Sequence, residues 1–295
     1  MSVVTATIKS NGEPIEQSIN LIQLEALYEV NRIPSAQLVL SDGSIPLRQF
    51  AVSQSAFFNI GKEIEILLRY EGDAANEARV FRGIVTGQTV ESNELGNQLT
   101  VDLKDPSVKM SSLRKTKLFR NQNDSEVFSD LIEANGLKKG TLDETPIWEN
   151  HELVQYNSTD WDFLLLRAEA NGLFVTVKDG IVSATQPRID SARQTYEFGM
   201  SEIYALEMRA DAERQSETVK TSAWNVSEQT MTSPESGDGF TLYQGENGIN
   251  PAKSANAVGA TENKLFTTNW RQTQEMAAWA KGRLMRSRLS LHRGW

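Results

Sequence analysis

The sequence contains no cysteine. Disulfides, thiolate nucleophiles, zinc–thiolate centres and iron–sulfur clusters are therefore excluded. Histidine is almost absent: His151 and His292 are the only two, too few for a three-histidine zinc site. Proline is scarce, at 8 in 295 residues, while apolar residues make up 39%. That is a globular composition, neither disordered nor collagen-like. No apolar run approaches the roughly 18 residues that span a bilayer. The opening MSVVTATIKS lacks the basic stretch and apolar stretch of a secretory signal. Net charge is −9, which opposes a general coat for nucleic acid or anionic membrane. The length suits two domains or one large β domain, and is ample to bury a core.

What is present is mostly strand pattern. Residues 3–8, 18–22, 36–40, 62–67, 79–85 and 98–103 are short β-favouring runs, several with alternating polar and apolar side chains. Their regular spacing predicts an antiparallel barrel or sandwich over residues 1–105.

The character changes over residues 106–190. Asp124 to Asn135 reads as a helix capped by Asn123 or Asp124, with Glu126 at its positive end. Val127, Phe128, Leu131 and Ile132 form its apolar stripe. Gly136 suits the left-handed position that ends it. A second helix starts at Ser158 or Thr159, buries Trp161, Leu164, Leu165 and Ala168, and ends at Gly172. A hairpin follows, 174–178 with 181–185, turned at Asp179-Gly180.

Residues 191–295 return to strands, at 201–209 and 218–226. The stretch 228–260 is rich in Ser, Gly, Asn and Thr and reads as long loops or a small insertion. Residues 270–289 read as a helix, and the last residues as a strand cut short at Trp295. From residue 271 onward the charge is +5, leaving −14 for the rest. Lys281, Arg283, Arg286, Arg288 and Arg293 carry this basic stripe. It reads as a solvated helix face, as a contact for acidic surfaces of neighbouring subunits or, least, as a nucleic-acid contact, which the charge of the whole chain opposes.

Catalytic motifs fail on inspection. His151-Glu152 opens like the zinc-protease pattern H-E-x-x-H, but Gln155 holds the second ligand position. Ser112-x-x-Lys115 matches a penicillin-binding pattern whose companion K-T-G is missing. No pair of carboxylates stands out as a glycosidase pair. No catalytic, cofactor-binding or metal-binding residue is therefore assigned.

Tyr156-Asn157-Ser158-Thr159-Asp160-Trp161-Asp162-Phe163-Leu164, followed by Arg167 and Gly172-Leu173-Phe174, resembles the Y-N-E-S-D-W-x-F-L-x-R stretch of VgrG spike proteins. Phage late-control D (tail hub) proteins share that stretch. Phe81-Arg82-Gly83-Ile84-Val85-Thr86 resembles the family's F-x-G-I-V-T strand, and Leu113–Phe119 with Asp124–Leu137 its following segment. The helix from Arg271 to Arg288 resembles the one that precedes the spike's next domain. The likeness spans roughly residues 60–295.

The resemblance implies a mainly β chain with an α+β module. Two tube-like antiparallel β-barrels, at 1–105 and 191–295, would flank a helix-containing module at 106–190, with downstream OB-like and β-helix spike domains absent from this chain. It implies a non-enzymatic homotrimer that adapts a hexameric inner tube to a threefold spike. The implied partners are the tube protein, baseplate proteins and spike tip or effector cargo, with no nucleic acid, cofactor or stable membrane insertion. Assembly would occur in the bacterial cytoplasm, and the particle would act outside it or in a target cell. A stand-alone carbohydrate- or surface-binding β module is the alternative, and a carboxylate-dependent hydrolase a weaker one.

Overall fold

The structure is a computed structural model. It describes residues 4–16, 19–43, 49–71, 76–93, 96–146, 152–188, 195–197, 199, 205–226, 228–233, 248–267 and 273–294. Among these residues the chain is mainly β, with four helices.

Seven strands make the first sheet: β1 (Val4–Ser10), β2 (Glu13–Pro14), β3 (Leu21–Leu27), β4 (Ser35–Ser41), β5 (Glu63–Tyr70), β6 (Ala78–Asn93) and β7 (Gly96–Lys104). Their order is β2-β1-β5-β6-β7-β4-β3, and every pairing is antiparallel. The period-2 pattern read from the sequence is what the sheet uses. Leu38, Leu40, Ile64, Ile66, Phe81, Val85, Leu99, Val101 and Leu103 alternate inward and form one core. Each such side chain contributes about 1.5–3 kcal/mol by leaving water. β6 is 16 residues long because its first half pairs with β5 and its second half with β7. Register shifts on both sides bend it.

No sheet closes on itself among the described residues. The first sheet ends at β2 and β3, so the expected barrel closure is not seen. β2 is only two residues long and contains Pro14, which has no N–H to offer a ladder.

Asp42 ties the following loop to this sheet. Its carboxylate accepts the N–H groups of Gly43, Val52 and Ser53 at 2.7, 3.0 and 2.8 Å. Burial opposes ionisation of this carboxyl, but the Ser53 side chain and those three N–H groups outweigh it and hold its pKa below the usual carboxylate value.

Next come a 3-10 turn (Pro106–Ser111), β8 (Arg114–Arg120), α1 (Asp124–Ala134), β9 (Lys138–Leu142), β10 (Glu152–Thr159), α2 (Asp160–Ala170), β11 (Phe174–Lys178) and β12 (Ile181–Thr185). Asn123 caps α1, accepting the Glu126 N–H while the Glu126 carboxylate accepts the Asn123 N–H. Thr159 caps α2 by accepting the Asp162 N–H. The apolar stripes then meet: Val127, Phe128, Leu131 and Ile132 of α1 pack with Trp161, Leu164 and Ala168 of α2 in a second core. Asp179 and Gly180 both take positive φ, 55° and 74°, as the tight hairpin turn requires. β12 also pairs in parallel with β9, a strand far back in the chain.

The remaining elements are β13 (Met208–Ala210), β14 (Thr218–Asn225), β15 (Thr230–Thr232), α3 (Pro251–Ala257), β16 (Glu262–Thr267), α4 (Thr273–Leu289) and β17 (His292–Gly294). β15, β14 and β16 form one sheet, and β13 pairs with β17. α4 lays Ala280 and Leu284 on Val219 of β14. The stretch expected to be long loops or a small insertion contains β15 and α3; its residues 234–247 lie outside the described residues, as do 201–204 of the expected 201–209 strand. α3 starts where Asn250 accepts the Lys253 N–H and Pro251 takes the first helical position.

Candidate functional site

The five basic residues singled out in the sequence do not form one stripe. At 100° per residue, Lys281 and Arg288 fall on one side of α4, and Arg283 and Arg286 on another. Lys281 is exposed. Arg283 and Arg286 both turn toward Glu169 of α2, at 4.0 and 3.3 Å. The Arg286 guanidinium also lies 5.4 Å from the centre of the Phe174 ring. Arg288 instead donates to the carbonyls of Ser216 and Glu217, at 2.7 and 3.1 Å. Burial pulls its pKa down, against a smaller upward pull from Glu217. Arg293 lies in β17, in register with Arg209 of β13; its side chain lies outside the described residues.

Arg283 and Arg286 also border a cleft of about 700 Å³ between α4, β16 and the loop that precedes β14. Arg214 and Glu213 come from that loop, and Glu262 and Lys264 from β16. The loop is fixed to α4 from below. Gln215 donates to the Ser287 carbonyl at 2.5 Å, and the Ser216 N–H donates to Ser287 Oγ at 2.9 Å. Ser287 Oγ donates in turn to the Arg214 carbonyl at 3.0 Å. Glu262 takes Lys220 at 2.9 Å and Lys264 at 3.0 Å, which together hold its carboxyl below the usual value. The Arg214 side chain makes no ion pair with a described residue.

A buried ionic junction holds α4 in place. Arg167 of α2 donates two parallel hydrogen bonds to Asp124 of α1, at 2.6 and 2.7 Å, and a third to Glu275 of α4 at 3.0 Å. Asn171 adds a bond to Asp124 at 2.7 Å. The three charged side chains are 7%, 3% and 8% exposed. Burial alone would lower the Arg167 pKa, but Asp124 and Glu275 outweigh it and the net shift is upward. The guanidinium therefore stays charged and its fork is filled. Such an arrangement positions helices; its carboxylates are already engaged by donors.

Sequence reasoning did not find this junction. Asp124 was legible as a helix-start residue and Arg167 as part of a recurrent stretch, but Arg167 and Glu275 are 108 residues apart. Asp160, in the same stretch, is also structural. It is buried and accepts from Lys115, Asn135 and Gln155 at 2.5, 2.7 and 2.9 Å. Lys115 is thus taken, and Ser112 Oγ donates to the Lys109 carbonyl, so the two do not form a nucleophile–lysine pair. His151 lies outside the described residues. Among the described residues, no group of three or more His, Cys, Asp or Glu is placed to hold a metal ion. No helix among them is long and apolar enough to cross a membrane.

No curated protein matches the sequence. Solved structures match the fold. The 43 kDa tail protein of prophage MuSo2 from Shewanella oneidensis is similar at a TM-score of 0.65 and 12% identity, over 99% of this chain and 81% of that one. A tail protein from Neisseria meningitidis MC58 is similar at 0.60 and 12%, over 99% and 78%. A chain of the Francisella PdpA-VgrG complex is similar at 0.51 and 10%, over 92% and 41%. The fold is therefore that of phage tail proteins. At the level of sequence families, the model of the Alg8 N-terminal domain matches residues 1–295, and the chain belongs to that family.

Proposed function

We propose that this chain is the structural hub of the spike of a contractile injection machine. In this reading three copies form a ring that joins a hexameric inner tube to a threefold spike and helps deliver effectors through target membranes. Residues 1–105 and 191–295 are the two tube-like parts, and 106–190 the module between them. Partners are other copies of the chain, the tube protein, baseplate proteins and the spike tip or cargo. The role is mechanical, not enzymatic. Assembly takes place in the bacterial cytoplasm, and the particle acts outside it or in a target cell.

The observation that carries this reading is a fold shared with tail proteins over nearly the whole chain. A second feature supports assembly. Among the described residues β3, Leu-Ile-Gln-Leu-Glu-Ala-Leu, is an edge strand with exposed Ile22 and Leu27, a single charge at Glu25, and no proline or lysine. An edge so weakly protected invites pairing with another chain unless a neighbour covers it.

Single-particle electron microscopy of the purified protein tests the proposal. Threefold averages with a central channel and six peripheral lobes are expected. Compact monomers would overturn it.

A further inference from the structure

We infer that the cleft between α4, β16 and the 213–216 loop is a binding site for an acidic peptide segment of another chain. Its volume of about 700 Å³ falls in the range of ligand-binding clefts, roughly 300–1,000 Å³. Four cations border it, namely Arg214, Lys264, Arg283 and Arg286, against the two acids Glu213 and Glu262. With Glu169, which faces Arg283 and Arg286 from α2, the cations still outnumber the acids, in a chain of net charge −9.

The layout selects the ligand class. The cations stand on three separate elements around the cleft, which suits carboxylates spaced along a peptide better than one compact anion. Glu213 and Glu262 sit among them and repel a dense polyanion such as nucleic acid. Three of the four cations are arginines, whose planar fork pairs with carboxylates through two parallel hydrogen bonds.

Part of the site is already organised. Glu169 and the Phe174 ring hold the Arg286 guanidinium, which cuts the ordering cost of binding. Ser287 pins the Arg214 backbone while its side chain stays exposed and without an ion pair to a described residue. Arg283 is 47% exposed, and its contact with Glu169 is 4.0 Å, so a ligand carboxylate at hydrogen-bonding distance would displace it.

The test is fluorescence anisotropy of a labelled peptide whose glutamates are spaced by glycine and serine, titrated with the full chain at low salt. Saturable binding is expected, weakened about tenfold or more by Arg214→Glu with Lys264→Glu. Neutral Arg214→Gln with Lys264→Gln should weaken it less. Lys138→Glu, an exposed cation on β9 outside the cleft, should leave it unchanged. No saturable binding would overturn the inference, and so would equal weakening by Lys138→Glu. Displacement by inorganic phosphate at matched charge would do the same by marking a simple anion site. The readout does not depend on ring formation, so it stands or falls apart from the hub proposal.

Discussion

Gly172, which ends α2, lies directly against Gly282 in the middle of α4. A side-chain carbon placed on Gly172 would lie 3.3 Å from the Gly282 Cα and 2.7 Å from the Ala278 carbonyl oxygen. Gly172 also has φ of +68°, so the helix end and the helix crossing demand glycine for two separate reasons.

Gly282→Ala should therefore destabilise the protein by about 1–3 kcal/mol, because its methyl group meets backbone that cannot rotate away. Gly172→Ala should cost more, since it adds the left-handed backbone penalty. Denaturant unfolding measures both. An unchanged midpoint for Gly282→Ala would mean that the two helices separate easily.

Arg167→Met should cost about 3–5 kcal/mol, since it leaves Asp124 and Glu275 buried without their cation. Arg167→Lys keeps the charge but loses the fork, and should recover only part of that loss. Equal unfolding midpoints for Arg167→Lys and the parent protein would show that the paired geometry does not matter.

Asp160 makes stability depend on acid. Burial would raise its pKa, but hydrogen bonds from Lys115, Asn135 and Gln155 bring it below the ordinary value. Its contribution is then fully present above the unfolded pKa of about 3.9 and is lost as pH falls through the lower folded value. Asp160→Asn should destabilise the neutral protein by about 1–3 kcal/mol. The gap between parent and variant should narrow below about pH 4. A constant gap across an acid titration would contradict this.

Asn123→Ala should cost about 1 kcal/mol by freeing the Glu126 amide at the start of α1. Hydrogen exchange at that amide should quicken more than at Ile132. Unchanged protection at Glu126 would show that the cap is dispensable.

Local chemistry was legible where one stretch of chain contains both the signal and its partner. Asn123 with Glu126, Thr159 with Asp162, and the Asp179-Gly180 turn all act within four residues. Strand positions in the first sheet followed the alternation of side chains, although β3 runs over 21–27 and not 18–22. α3 was missed although its Asn250-Pro251 start was present, because Ser, Gly and Asn dominate the stretch around it. The basic residues were read as one stripe although a 100° spacing already splits them; what spacing cannot tell is which side of α4 meets Glu169 and which meets the carbonyls of Ser216 and Glu217.

The sequence by itself determined the strand-rich class, the caps and ends of α1 and α2, their buried stripes, and the absence of thiol chemistry. Those properties follow from side-chain period, backbone preference and composition, which act locally. Tertiary structure alone decided the open edges of the first sheet, the parallel pairing of β12 with β9, the Arg167 junction and the cleft beside α4. Each joins residues separated by tens to about a hundred positions. Such contacts depend on how whole elements pack, and no local pattern encodes their partners.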